Sequence, residues 1–113
     1  MKFAITCTAR EGGEQARMQL RLAHLLFLRD QQDKIFFAGR LSDADLAASN
    51  AMFLIVEVAD REAATAFIAA EPYTASGQVF ASVIISPLAQ MIPEIEPGHL
   101  DRSIAEMLDA SAR

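Results

Sequence analysis

AMFLIVEV, residues 51–58, is the stretch on which the fold turns. It is too short for a buried helix and rich in β-branched and aromatic side chains, so it reads as a strand. What matters is that it does not alternate. Every residue from Ala51 to Val56 is apolar, so both faces of the strand are apolar. An antiparallel sheet with helices on one side and water on the other shows alternation instead. Something has to cover the second face.

The neighbouring segments supply the remaining elements. Lys2 to Thr8 reads as a first strand, with Phe3, Ile5 and Cys7 on one side and Lys2, Ala4, Thr6 and Thr8 on the other. Glu11-Gly12-Gly13 breaks it. Glu14 to Gln31 has no glycine or proline, is rich in Leu, Ala, Arg and Gln, and predicts a long helix. Met18, Leu22, Leu25 and Leu26 fall on one stripe of that helix. Lys34 to Gly39 is a short strand in which Ile35 and Phe37 oppose Phe36 and Ala38, and the polar stretch Leu41 to Asn50 connects it to residues 51–58. Asp60 is placed to cap a helix running to Ala70, with Glu62 in its first turn and Ala64, Phe67 and Ile68 on its buried face. Glu71-Pro72 ends that helix, and Tyr73 to Gly77 forms a short helical turn. Gln78 to Ile85 is the last strand. Val79, Ala81, Val83 and Ile85 take one side, Phe80 and Ile84 the other, and Ser82 interrupts the apolar pattern.

The order is β-α-β-β-α-β, the ferredoxin-like α+β arrangement, with a four-stranded antiparallel sheet and both helices on one face. A symmetric homodimer, two sheets face to face in a dimeric α+β barrel, would cover the second face. The alternative cover is the chain's own tail. Residues 91–98 contain Pro93 and Pro97 and cannot form a regular helix. His99 to Ala110 can, with Leu100, Ile104, Met107 and Leu108 at helical spacing. It reads as a packing or dimer-stabilising arm. The chain thus divides into a domain, 1–88, and a C-terminal helical extension, 89–113.

Composition narrows the function classes. A chain of 113 residues makes one domain. Its net charge of −5 disfavours nucleic acid, whose phosphates call for clustered bases. The densest basic group, Arg17, Arg21 and Arg29, reads as a solvated or salt-bridged helix face. One cysteine, Cys7, cannot form an internal disulfide and fits a reducing compartment; its position beside Phe3 and Ile5 makes it a core residue. The first residues form too short an apolar run for a signal peptide. No run approaches the roughly 20 apolar residues that span a bilayer. The expectation is a cytoplasmic protein with no membrane partner. His24 and His99 lie in different elements without ligand spacing, and no phosphate loop, CxxC, HExxH or GxSxG occurs. Neither metal nor cofactor is expected.

His24 stands out because it interrupts the apolar run Leu22 to Leu28. An imidazole has the titration range of a general acid or base; it is equally a half-buried structural residue. Glu71, just before Pro72, could hold that imidazole in one tautomer, or be a solvated surface acid. Arg21, Tyr73 and Ser82 are the further polar groups near these elements. Arg21 could hold an anion, and Ser82 could line a pocket.

Three motifs in order resemble the YciI-like (YCII-related) family: Arg21-Leu22-Ala23-His24-Leu25-Leu26-Phe27-Leu28, then Phe37-Ala38-Gly39-Arg40-Leu41, then Glu71-Pro72-Tyr73-Thr74-Ala75-Ser76-Gly77 ahead of a strand ending at Pro87. The resemblance implies a dimeric barrel with a His–Asp pair in a pocket. His24 takes the histidine position. Glu71 stands where the family has aspartate, and its extra methylene shifts the carboxylate on the order of 1.5 Å, one C–C bond. A displacement of that size can break a catalytic pair. A relative in chlorinated-aromatic breakdown is associated with dehydrochlorination through that pair. The resemblance therefore implies a cofactor-free lyase- or hydrolase-type enzyme for a small aromatic or anionic molecule. His24 would be its acid or base, Glu71 its partner, and Arg21, Tyr73 and Ser82 its substrate contacts. The other reading compatible with these residues is a non-catalytic homodimer that binds a small ligand.

Overall fold

The computed structural model describes residues 1–43 and 49–112. β1 (Lys2–Ala9) leads to α1 (Glu14–Asp30) and, through a single 3₁₀ turn, to β2 (Ile35–Ser42). Then come β3 (Ser49–Glu57), α2 (Arg61–Ala70), the short α3 (Pro72–Ser76), β4 (Phe80–Leu88) and α4 (His99–Ala112). The strands make one antiparallel sheet in the order β2-β3-β1-β4. This is the ferredoxin-like α+β arrangement. The connection expected over Leu41 to Asn50 falls partly outside the described residues. Its ends lengthen the hairpin, since Leu41 pairs with Ala51 and Ser42 with Ser49.

The core lies between the sheet and α2. Phe3, Ile5 and Cys7 of β1 and Met52, Leu54 and Val56 of β3 are buried with Ala64, Phe67 and Ile68, and Phe27 and Leu28 of α1 pack against them. Asp60 caps α2 as its sequence requires, its carboxylate accepting the Ala63 N–H at 2.9 Å. Gly13 begins α1 where the chain passes β4. A Cβ there would stand 2.8 Å from the Gln78 carbonyl oxygen, so no other residue fits without displacing backbone.

Simple alternation fails at two register shifts. Between Ile35 and Phe37 one extra residue, Phe36, is inserted, and Ile35 pairs with Val56 while Phe37 pairs with Ile55. Ile35 therefore packs on the core and Phe37 on the open face, although period-2 reading puts them on one side. The second shift sets Ala9 opposite Phe80 and Thr8 opposite Ser82, leaving Ala81 as the extra residue. Phe80 joins the core side with Val83 and Ile85, and Ala81 is exposed. Both errors have one cause, a bulge that inverts the parity of every residue beyond it. Pro87 falls inside β4, where an edge strand tolerates it.

Three apolar surfaces are left without a partner. On the open face, Phe36, Phe37, Leu41 and Ile84 are between 49% and 59% exposed. The Met18–Leu26 stripe of α1 also faces outward, and α1 buries no residue completely. α4 buries none either and makes no extended contact with the other described elements, so this helix does not cover the sheet. The molecule is consequently long, 59 × 33 × 20 Å.

Candidate functional site

Glu71 sits at the junction of α2 and α3, and the local sequence explains its pose. Pro72 forces Glu71 out of the helical region and is itself suited to the first turn of α3. Glu71 thereby becomes the N-cap of α3. Its Oε1 accepts the Tyr73 N–H at 3.0 Å, and its Oε2 accepts the Thr74 N–H at 3.0 Å and the Thr74 hydroxyl at 3.1 Å. Oε1 also meets His24 Nδ1 at 2.7 Å. The carboxylate is fully buried and each oxygen has two donors, which fills its acceptor capacity.

The electrostatics follow from that shell. Burial pushes the Glu71 carboxyl up, but the hydrogen bonds from His24 and from the Tyr73 and Thr74 N–H groups outweigh it. The group is held below the ordinary carboxylate range. Glu71 is therefore ionised at neutral pH and can only accept. Facing this carboxylate, the neutral form of His24 places its proton on Nδ1 and its lone pair on Nε2. The longer glutamate does not break the pair.

His24 lies at the wall of a cavity of about 320 Å³ between α1, β2 and the N-terminal end of β4. That volume suits a small molecule of one ring. Tyr73 stacks flat on the imidazole, with centroids 4.0 Å apart and planes at 11°, and meets Phe80 edge-on. Burial pushes the Tyr73 phenol up, against the opposing pull of Arg17 and Arg21, so it stays protonated at neutral pH. Arg17, Arg21 and Arg40 line the same cavity, and Leu25, Leu28, Met52 and Phe80 form its apolar wall. Ala38 and Gly39 of β2 also line it and add little bulk. An overall acidic chain thus carries a cavity flanked by guanidinium groups.

Four of the five residues named from sequence come together here. Glu71 braces His24 from behind, and Tyr73 and Arg21 line the cavity beside it. Ser82 does not join them. It pairs with Thr8 and is exposed on the open face, because the bulge at Ala81 puts Phe80 on the cavity side instead. The reading of Arg17, Arg21 and Arg29 as a solvated or salt-bridged face describes their ion pairs, but the face also borders the cavity. Arg17 does pair with Glu14, at 2.6 Å, yet it and Arg21 edge the cavity while Arg29 sits beside Asp30. The missed signal was spacing, since positions 17, 21, 24 and 28 share one helix face. Arg40 was hidden by the bulge at Phe36. Cys7 is a buried thiol pushed up to about 12 by burial and by the nearby Glu71 charge, so it is inert. Among the described residues no three His, Cys, Asp or Glu side chains gather as a metal site, and no helix is long and apolar enough to cross a membrane.

The chain is a small α+β protein with a ferredoxin-like sheet, whose first helix carries a histidine braced by a buried carboxylate at the wall of a cavity. Within that class the chain belongs to the YCII-related family, whose domain model matches residues 1–89. No curated protein matches its sequence significantly. Among solved structures it is similar to the 5-chloro-2-hydroxyhydroquinone dehydrochlorinase of Burkholderia phenoliruptrix AC1100, determined in complex with 2,5-dihydroxybenzoquinone. The two share 26% identity over 83% of this chain and 99% of that one, with a TM-score of 0.74.

The Glu71 shell sets the response to acid. A carboxyl held below its ordinary value of 4.5 contributes stability that is complete above that pH and is lost as the pH falls through its folded value. Glu71→Gln leaves one buried N–H donor short of an acceptor and should lower stability at pH 7 by about 1–3 kcal/mol. Denaturant unfolding between pH 7 and pH 3 should show the gap between the two proteins narrowing below pH 4.5. A constant gap would mean that Glu71 carries no such charge in the folded state.

Proposed function

We propose that this protein is a cofactor-free enzyme of the lyase or hydrolase type acting on a small aromatic or anionic molecule. The observation that carries the reading is the 2.7 Å contact between His24 Nδ1 and a carboxylate with no acceptor capacity to spare. Glu71 does not take the substrate's proton. It fixes the ring so that Nε2 is the base, and it stabilises the imidazolium that forms. Nε2 accepts a proton from an O–H or C–H of the substrate. The electron pair left behind moves through the molecule and expels a leaving group with its bonding electrons. Nε2 then returns the proton to solvent. Arg21 neutralises the negative charge that develops on a substrate oxygen, and Tyr73 holds the imidazole plane from one side.

The similar dehydrochlorinase makes hydroxylated chloroaromatics the first substrates to try, with chloride as the leaving group. The expected result is chloride release by the wild-type protein, reduced about 10²–10⁴-fold in His24→Gln. Glutamine keeps a donor for Glu71 but supplies no base, and a thermal melt checks that the variant is folded. Ligand-dependent stabilisation without turnover across the panel would favour the non-catalytic binding homodimer instead.

We also place the working unit as a homodimer in a reducing, cytoplasmic setting. The support is the open face of the sheet, where Phe37, Leu41 and Ile84 are exposed together. Sedimentation equilibrium at micromolar concentration should give twice the chain mass of 12.3 kDa. Phe37→Glu should shift the protein toward the single-chain mass. A wild-type monomer at that concentration would remove the face-to-face barrel.

A further inference from the structure

Two helices of this chain each present an apolar stripe that no described residue covers, and the stripes match. On α1 the stripe is Met18, Leu22, Leu25 and Leu26; on α4 it begins at the half-buried Leu100 and continues through the exposed Ile104, Met107 and Leu108. Both follow the spacing i, i+4, i+7, i+8, which makes one continuous face along two turns of helix. Leu22 is 70% exposed and Met107 68%. The charges beside the stripes are opposite. α1 carries Arg17, Arg21 and Arg29 against Glu14 and Asp30, which pair with Arg17 and Arg29 and leave Arg21 as the cation beside the stripe, whereas α4 carries Asp101, Glu106 and Asp109 against Arg102. Helices with complementary flanks of this kind pair along their apolar seams.

The path of the chain decides which α1 is reached. α1 lies over the β2 side of the sheet, where Leu25, Leu28 and Arg29 line a hollow with Ile35 and Ala38. α2 lies on the β4 side, its Arg61 donating to the Ile85 carbonyl at 2.8 Å. The tail leaves from the end of β4, the strand at the opposite edge from β2. Its own α1 stripe lies toward the other edge of the sheet, and α4 makes no extended contact with α1.

We propose that α4 of one copy docks along the outer stripe of α1 on a second copy, so that the two chains exchange arms. The contact has a consequence at the cavity. Leu25 belongs to the stripe and also lines the cavity beside His24, so the partner's arm completes one side of the site. This arm exchange is independent of the acid–base role of His24.

The test uses two full-length variants that each add one exposed cysteine, Leu22→Cys and Ile104→Cys, at the midpoints of the two stripes, which face each other whichever way the helices run. Both positions are exposed, so neither change disturbs the core, and the native Cys7 is fully buried and unreactive. The two proteins are unfolded, mixed, refolded together and treated with a short bismaleimide. The exchange predicts a covalent heterodimer carrying one of each chain, formed at least tenfold faster than when either variant is treated alone. Ile104→Glu, introduced in place of the cysteine, should weaken self-association at least tenfold. Failure of the mixture to cross-link while the double variant Leu22→Cys/Ile104→Cys links within one chain would overturn the exchange, as would no cross-link in either.

Discussion

The Glu71 carboxylate holds two parts of the molecule at once. It caps α3 through the Tyr73 and Thr74 N–H groups, and it receives the Nδ1 proton of His24 from α1. A buried charge of this kind is destabilising unless every lone pair is occupied. Here every one is, so the fold tolerates the charge and the charge in turn fixes the ring. α1 meets α3 at this point, and the stacked Tyr73 is set by the same turn that Glu71 caps. Pose of the histidine, shape of the cavity wall and order of α3 thus share one origin. Pro72 contributes by excluding the alternative in which α2 simply continues.

Much of this was legible in the chain itself, because the elements differ sharply in period. The apolar run at residues 51–56, the cap at Asp60 and the break at Glu71-Pro72 each had a local physical reason, and each holds in the structure. What period-2 reading cannot supply is a bulge. One inserted residue at Phe36 and another at Ala81 inverted the faces of two strands. Phe80 thereby takes the cavity side while Ser82 stays with Ile84 on the open face, and Arg40 turns toward the cavity. The place of Arg17 and Arg21 at the cavity is hidden for a different reason. Helical spacing shows which residues share a face but not whether that face meets water or a cavity, and only the position of β2 opposite α1 settles it.

The surfaces left apolar carry the remaining information. A chain of this length cannot bury all of its hydrophobic residues within one sheet and two principal helices. The excess lies on the open sheet face, on α1, and along the tail from Met91 through α4. Exposed apolar surface of that kind marks contact surfaces. The charge is organised as well. The chain is acidic overall, yet Arg17, Arg21 and Arg40 border one small cavity, an arrangement that draws anions to the site while the rest of the surface repels them.

The central claim is that Glu71 fixes His24 with its proton on Nδ1 and its lone pair on Nε2. Ring ¹⁵N chemical shifts of His24, recorded at a pH where the imidazole is neutral, test it most directly. The account predicts a single tautomer with Nδ1 protonated and Nε2 bare. A ring protonated at Nε2, or one averaging between both forms as a solvated histidine does, would contradict it.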